Sequence, residues 1–93
     1  MRLPLFSSRA AASPNLVGIQ HPDLALPTVL VCPIWEGEAL TNVRTAFEWE
    51  GRRYTVLCEL ARPINRRTLR QVGELEADTA EAIIKTFLKL LPI

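Results

Sequence analysis

Apolar and polar positions along this chain follow two rhythms, and the change between them divides it. From Asp78 to the end at Ile93 the apolar residues recur at helical spacing. Ile83, Phe87 and Leu90 make one stripe, Ala80, Ile84, Leu88 and Leu91 lie beside it, and Glu81, Lys85 and Lys89 fall opposite. This spacing predicts a helix over Asp78–Leu91 that packs its wide apolar face on a core. Asp78 followed by Glu81 resembles a capping box, with Asp in place of Ser or Thr. Glu81 and Lys85 stand in the favourable order for an i,i+4 ion pair. Pro92 ends the helix, because the residue before a proline is pushed out of the α region. Beyond it runs a short apolar tail, Leu91-Pro92-Ile93.

Before residue 78 the rhythm is that of strands. Residues 3–6 and Leu16–Gln20 read as two short strands, separated by the small, polar segment Ser7–Asn15. His21-Pro22-Asp23 breaks the second, and Leu24–Pro27 is a loop or sheet edge. Thr28–Cys32 is rich in β-branched and apolar residues and predicts a central strand, whose ladder Pro33 ends for want of an N–H. Trp35–Thr41 is a loop. Val43–Trp49 and Arg53–Leu60 then form a hairpin around Glu50-Gly51-Arg52, with glycine taking positive φ. Val43, Thr45, Phe47 and Trp49 alternate with Arg44, Ala46 and Glu48 on the first arm. Tyr54, Val56 and Cys58 alternate with Thr55, Leu57 and Glu59 on the second. One buried and one partly solvated face follows. Arg62–Asn65 is a turn or a single 3₁₀ turn, Arg66–Gln71 a short strand with Leu69 inward, and Gly73-Glu74-Leu75 leads into the helix. Short strands followed by one terminal helix predict a mainly β (α+β) fold, a small barrel or curled sheet closed by a helix.

Ninety-three residues form one domain, residues 1–93, with a modest core that an oligomer interface helps complete. The net charge of +1 supplies no global field to attract nucleic acid. No apolar run approaches the ~20 residues of a membrane span. Leu3–Phe6 is also too short for a signal-peptide core of about 7–15 residues. A cytoplasmic protein without membrane contact is expected.

Few residues carry candidate chemistry. Cys32 and Cys58 each sit in an apolar run, which suits buried thiols; a disulfide between neighbouring strands is the alternative. With one histidine, His21, and no Cys-x-x-Cys, no metal site or other cofactor is expected. His21 beside Asp23 reads as a solvated loop pair, and no serine or threonine stands in a nucleophile context, so no catalytic residue is assigned. Arg62, Arg66, Arg67 and Arg70 form a basic cluster with no acid between Glu59 and Glu74. It is either a patch for phosphates or an acidic partner, or a solvated face balanced by Glu48, Glu50, Glu74 and Glu76. Trp35 and Trp49 are core or interface anchors. The tail Leu91-Pro92-Ile93 is either a hot spot for a partner pocket or folds back on the barrel.

The run Phe47–Ala61, FEWEGRRYTVLCELA, resembles the β-hairpin of the CcdB/MazF superfamily of toxin–antitoxin toxins. In that family a turn, a short strand, a Gly-x-Leu step and a terminal helix follow, as Arg62–Asn65, Arg66–Gln71, Gly73-Glu74-Leu75 and Asp78–Leu91 do here. Upstream, Leu16–Leu24 is similar to the CcdB pattern of an apolar strand, Gln, a small loop and Leu, and Thr28–Ile34 to the strand after it. The resemblance covers about residues 16–93. It implies an SH3-like barrel with a C-terminal helix, usually a two-fold homodimer neutralised by a cognate antitoxin. CcdB-like members poison DNA gyrase by inserting the helix tip into its A subunit; MazF-like members are endoribonucleases. The MazF pattern has Arg-Pro before the central strand and Thr or Ser after the proline that ends it. Here Leu26-Pro27 and Ile34-Trp35 stand instead, which places the chain nearer CcdB. The CcdB pattern ends in Trp-Gly-Ile, matched by Leu91-Pro92-Ile93 with the final Ile shared, so these three are the implied partner-binding residues. The cluster Arg62, Arg66, Arg67 and Arg70 is then an antitoxin or nucleic-acid patch without direct sequence-specific reading. A MazF-like ribonuclease and a non-toxic protein-binding module on the same fold are the alternatives.

Overall fold

A computed structural model describes residues 1–8, 13–37 and 39–92 of the chain. Its seven strands are β1 (Leu3–Ser7), β2 (Leu16–Gly18), β3 (Thr28–Glu36), β4 (Arg44–Trp49), β5 (Arg52–Leu57), β6 (Arg62–Asn65) and β7 (Arg70–Leu75). Two 3₁₀ turns, Cys58–Leu60 and Arg66–Thr68, flank β6, and one helix, α1 (Ala77–Leu88), follows β7. The fold is mainly β, a curled antiparallel sheet closed by the C-terminal helix, as the two rhythms predict. No helix among the described residues is long and apolar enough to cross a membrane.

The sheet runs β4-β5-β3-β2-β1-β7, with β6 also paired to β3. β3 is the hub. One edge pairs with β2; the other pairs with β6 over Thr28–Val31 and with β5 over Ile34–Glu36. Pro33 does not end this strand, contrary to the sequence expectation. The Ile34 N–H donates to the Asn15 carbonyl at 2.9–3.0 Å geometry typical of a ladder, here 3.0 Å, on the β2 side. N–H directions alternate along a strand, so the Pro33 nitrogen faces the opposite edge. There it meets the gap between the β5 and β6 ladders, where no donor is required. Arg62–Asn65 is likewise a strand rather than a turn. Arg66 N–H donates to Pro27 O at 2.9 Å, which turns the Pro63 nitrogen toward the open edge of β6, where a proline is tolerated. The segment Arg66–Thr68 is a 3₁₀ turn, not a strand, and Gly73-Glu74-Leu75 belongs to β7 rather than to a lead-in.

Both faces of β3 are buried, each in its own cluster. Leu3, Leu5, Val17, Cys32, Ile34, Phe47, Val56 and Cys58 meet Ala80 and Ile83 of α1 in the main core. Phe6, Leu16, Val29 and Val31 form a second cluster, covered by Ile64 and Leu69. Leu69 is thus inward, as predicted. Residues 54–57 are also buried on both faces, so the return arm of the hairpin lacks the solvated face that its alternation suggested. Its turn is shorter than expected: Trp49 pairs with Arg52, and Glu50 and Gly51 take φ of 50° and 77°. Two successive positive φ values make the two-residue turn whose twist matches the strands.

β4 and β7 end the hydrogen-bonded path, and a side chain joins them. The Trp49 indole lies on Gly73, so close that a Cβ there would overlap Cζ2 and sit 2.9 Å from Cε2. Trp49 is the core anchor that the sequence suggested, and Gly73 is what admits it.

α1 begins one residue earlier than predicted. Its N-cap is Glu76, without a side-chain cap, so Asp78 is not a capping-box residue but an acid in the first turn, where the helix dipole favours it. The Glu81–Lys85 pair forms at 3.0 Å. The regular helix stops at Leu88; tighter i→i−3 bonds then carry the chain through Leu91.

Gly73→Ala is expected to cost about 1–3 kcal/mol through overpacking against Trp49, lowering the midpoint of a thermal melt by several degrees. In a Trp49→Leu background the same change should cost clearly less, because the two residues share one contact.

Candidate functional site

α1 presents two different surfaces along its length. Ala80, Ile83 and Thr86 are buried, and Ile84 and Phe87 pack against the main core. Leu88, Leu90 and Leu91 are all exposed, and so is Pro92. The predicted apolar face therefore divides: its first three turns anchor the helix, and its end is solvent-facing. Leu91 and Pro92 do not fold back on the barrel. Ile93, the third residue of the predicted site, lies outside the described residues. Lys89 is the charged residue of this tip.

The arginine cluster is broken up by the fold. The Arg66 guanidinium donates from Nε to Leu26 O at 3.1 Å and from Nη2 to Leu24 O at 3.4 Å, so it ties down the loop before β3. Arg62 lies on β6 opposite Val31, and Arg70 on β7 opposite Ser7. Arg67 and Arg66, with Pro27 and Asn65, line a concavity of about 390 Å³ over the second cluster. Arg62 and Arg67 are exposed and have no ion pair among the described residues. What remains of the patch is exposed cations on three separate elements, Arg62 on β6, Arg67 on the 3₁₀ turn after it and Arg70 on β7.

A second concavity of about 390 Å³ is lined by Pro14, Asn15, Trp35, Glu36, Arg52 and Tyr54, among others. Arg52 Nη1 and Glu36 Oε1 pair across it at 3.1 Å. Trp35 is exposed at its rim, so it is not the core anchor that the sequence allowed. His21 is a solvated loop residue: Asp23 N–H donates to its Nδ1 at 3.2 Å, and both side chains are exposed.

Cys32 and Cys58 are both free and wholly buried, as the first of the two sequence readings has it. They are neighbours in the main core, and the adjacent Cys58 thiol, together with burial, pushes the Cys32 pKa up. A thiol held protonated in an apolar core is inert packing rather than a nucleophile.

One arrangement was not singled out from the sequence, although the hairpin alternation holds its signal. Arg44, at the start of β4, forms a fork with Glu59 of the first 3₁₀ turn: Nε to Oε2 is 2.9 Å and Nη2 to Oε2 is 2.7 Å. Its Nη1 donates to Ala39 O at 3.2 Å. The partners sit at the open end of the β4–β5 hairpin: Arg44 is opposite Leu57, and Glu59 lies two residues further along the return arm on the same face. The hydrogen bond from Arg44 holds the Glu59 carboxyl below its ordinary value of 4.5.

No protein-family model matches this chain, and no curated protein matches it.

A carboxyl whose folded pKa is lowered adds stability above its unfolded value and loses it as the pH falls through the folded one. Wild type should therefore exceed Arg44→Met in melting temperature at neutral pH. The difference should shrink as the pH drops below 4.5, the ordinary value of the Glu59 carboxyl. A difference that grows in acid would contradict the assignment.

Proposed function

We propose that this chain is a non-enzymatic toxin of the CcdB kind. In this reading it is a cytoplasmic homodimer that inhibits DNA gyrase by seating its helix tip in the A subunit, and a cognate antitoxin neutralises it. The observation that carries the proposal is the exposed run Leu88, Leu90, Leu91 and Pro92 at the end of a helix whose earlier turns are fixed in the main core. Large apolar side chains held on a rigid element lose little conformational freedom on docking, so more of their burial energy appears as affinity. The resemblance of Phe47–Ala61 and of the strand order to that family supplies the choice of partner.

The runner-up is an endoribonuclease, favoured by the Glu36–Arg52 pair beside Tyr54 in the concavity under Trp35. Phosphodiester cleavage needs a cation fixed near the developing charge and a proton-transfer group. The arginine cluster serves this poorly, because the Arg66 guanidinium is spent on two backbone carbonyls.

Deletion of Leu91–Ile93 should abolish growth arrest on induction in a bacterium and inhibition of purified gyrase, while a cooperative thermal melt persists. Full toxicity of the truncated chain would overturn the proposal. Purified protein should leave long RNAs intact; cleavage that disappears in Arg52→Ala would establish the runner-up instead.

A further inference from the structure

We propose, building on the gyrase reading above, that the docking surface is wider than the helix tip: Leu40 and Leu60 belong to it, and Arg44 is the residue that positions them. Arg44 holds two separate segments with one guanidinium. Its Nη1 takes the Ala39 carbonyl at 3.2 Å, and its Nε and Nη2 take the Glu59 carboxylate at 2.9 Å and 2.7 Å. The residue after each held group is a leucine left open to solvent: Leu40 is 56% exposed and Leu60 49%. Neither exposure is explained by the fold, whose two cores are complete without them.

The path of α1 brings its tip to the same end of the barrel. At its start, Glu76 and Thr79 share a concavity with Glu48 and Trp49, at the end of β4. Arg44 and Glu59 mark the other end of β4. The helix packs on both β4 and the Cys58–Leu60 turn, so it runs back along β4 toward Arg44. Leu88 and Leu91, each 41% exposed, emerge there. Four exposed leucines from three segments thus collect at one end, where isolated exposed apolar residues would be unremarkable and a cluster marks a contact surface.

Charge identifies what would cover this surface. Glu59 is neutralised by Arg44, while Lys89 and Arg62, adjoining Leu88 and Ala61 in the chain, have no ion pair among the described residues. An apolar patch rimmed by cations fits a protein pocket that is apolar inside and carboxylate-bearing at its edge. On the reading above, the partner that presents such a pocket is the gyrase A subunit.

The test measures binding of full-length protein to purified gyrase A subunit, with thermal melts of every variant and sedimentation of each alone. Leu40→Ser and Leu60→Ser should each weaken binding about tenfold or more without lowering the melting temperature. Arg44→Glu should weaken it as well, and the exchange Arg44→Glu with Glu59→Arg should recover it to within about threefold, which a merely structural loss would not allow. Binding by both serine variants equal to wild type, while removal of Leu91–Ile93 abolishes it, overturns the wider surface and leaves the gyrase reading intact. Failure of the exchange to recover binding overturns the role of Arg44. Conversion of a dimer to a monomer by Leu60→Ser, with gyrase binding unchanged, assigns the patch to a second copy and overturns the proposal. Failure of wild type to bind the A subunit overturns both readings.

Discussion

The Pro33 nitrogen has no hydrogen to donate, and the outer edge of β3 is arranged around that deficit. A nine-residue strand whose middle, residues 29–34, is buried on both faces needs backbone partners there, because unpaired buried backbone groups are costly. β5 serves one end and β6 the other, and the one interval without a ladder coincides with the one residue that cannot join one. The chain crosses this interval as the Cys58–Leu60 turn. Cys58 goes inward against Cys32, and Glu59 and Leu60 go outward. The same turn is part of the seat of α1. A missing donor in the central strand is therefore continuous, through one short turn, with the position of the helix tip.

Two contacts act at opposite ends of β4, and the first of them joins the two ends of the sheet path. Trp49 reaches Gly73 where the sheet would otherwise remain open. Arg44 reaches Glu59 and Ala39 at the other end. The first is a packing contact that depends on the absence of a single Cβ, and it does not depend on pH. The second is a fork of charge-assisted hydrogen bonds, shorter and more directional than neutral ones. With side chains only 20% and 31% exposed, it is screened less than a surface pair.

Local chemistry made much of this fold legible. The hairpin shows in its alternation and glycine turn, the helix in its 3.6-residue period, and the buried strands in continuous runs such as Thr28–Cys32. What failed were inferences that require knowing which edge or face a residue occupies. Pro33 read as the end of a ladder, and Arg62–Asn65 as a turn, because sequence does not say which way a proline nitrogen points. Thr55 and Leu57 read as partly solvated because alternation along one strand does not show what lies over its second face. The arginine cluster looked coherent because its members are near in sequence, yet Arg66 turns to the loop before β3 while Arg62 and Arg70 pair into different strands' ladders. Arg44 and Glu59 looked ordinary as two charges on a solvated hairpin face, and only the register at its open end brings them together.

The division of α1 bears directly on how its tip is to be understood. A helix that served only to close the barrel would be expected to bury its apolar stripe to the end, since each of these leucines, left 39–41% exposed, forgoes a share of the ~1.5–3 kcal/mol that full burial supplies. Here burial stops at Phe87, although the sequence pattern continues to Leu91. The backbone also continues, in tightened turns rather than a frayed coil, so the leucines are presented on an ordered support. Apolar residues placed on ordered backbone and left partly uncovered have some burial energy unspent, and in the proposed function a second protein surface recovers it. That physical argument favours a binding role for the tip independently of any family resemblance, and the resemblance enters only in naming the partner.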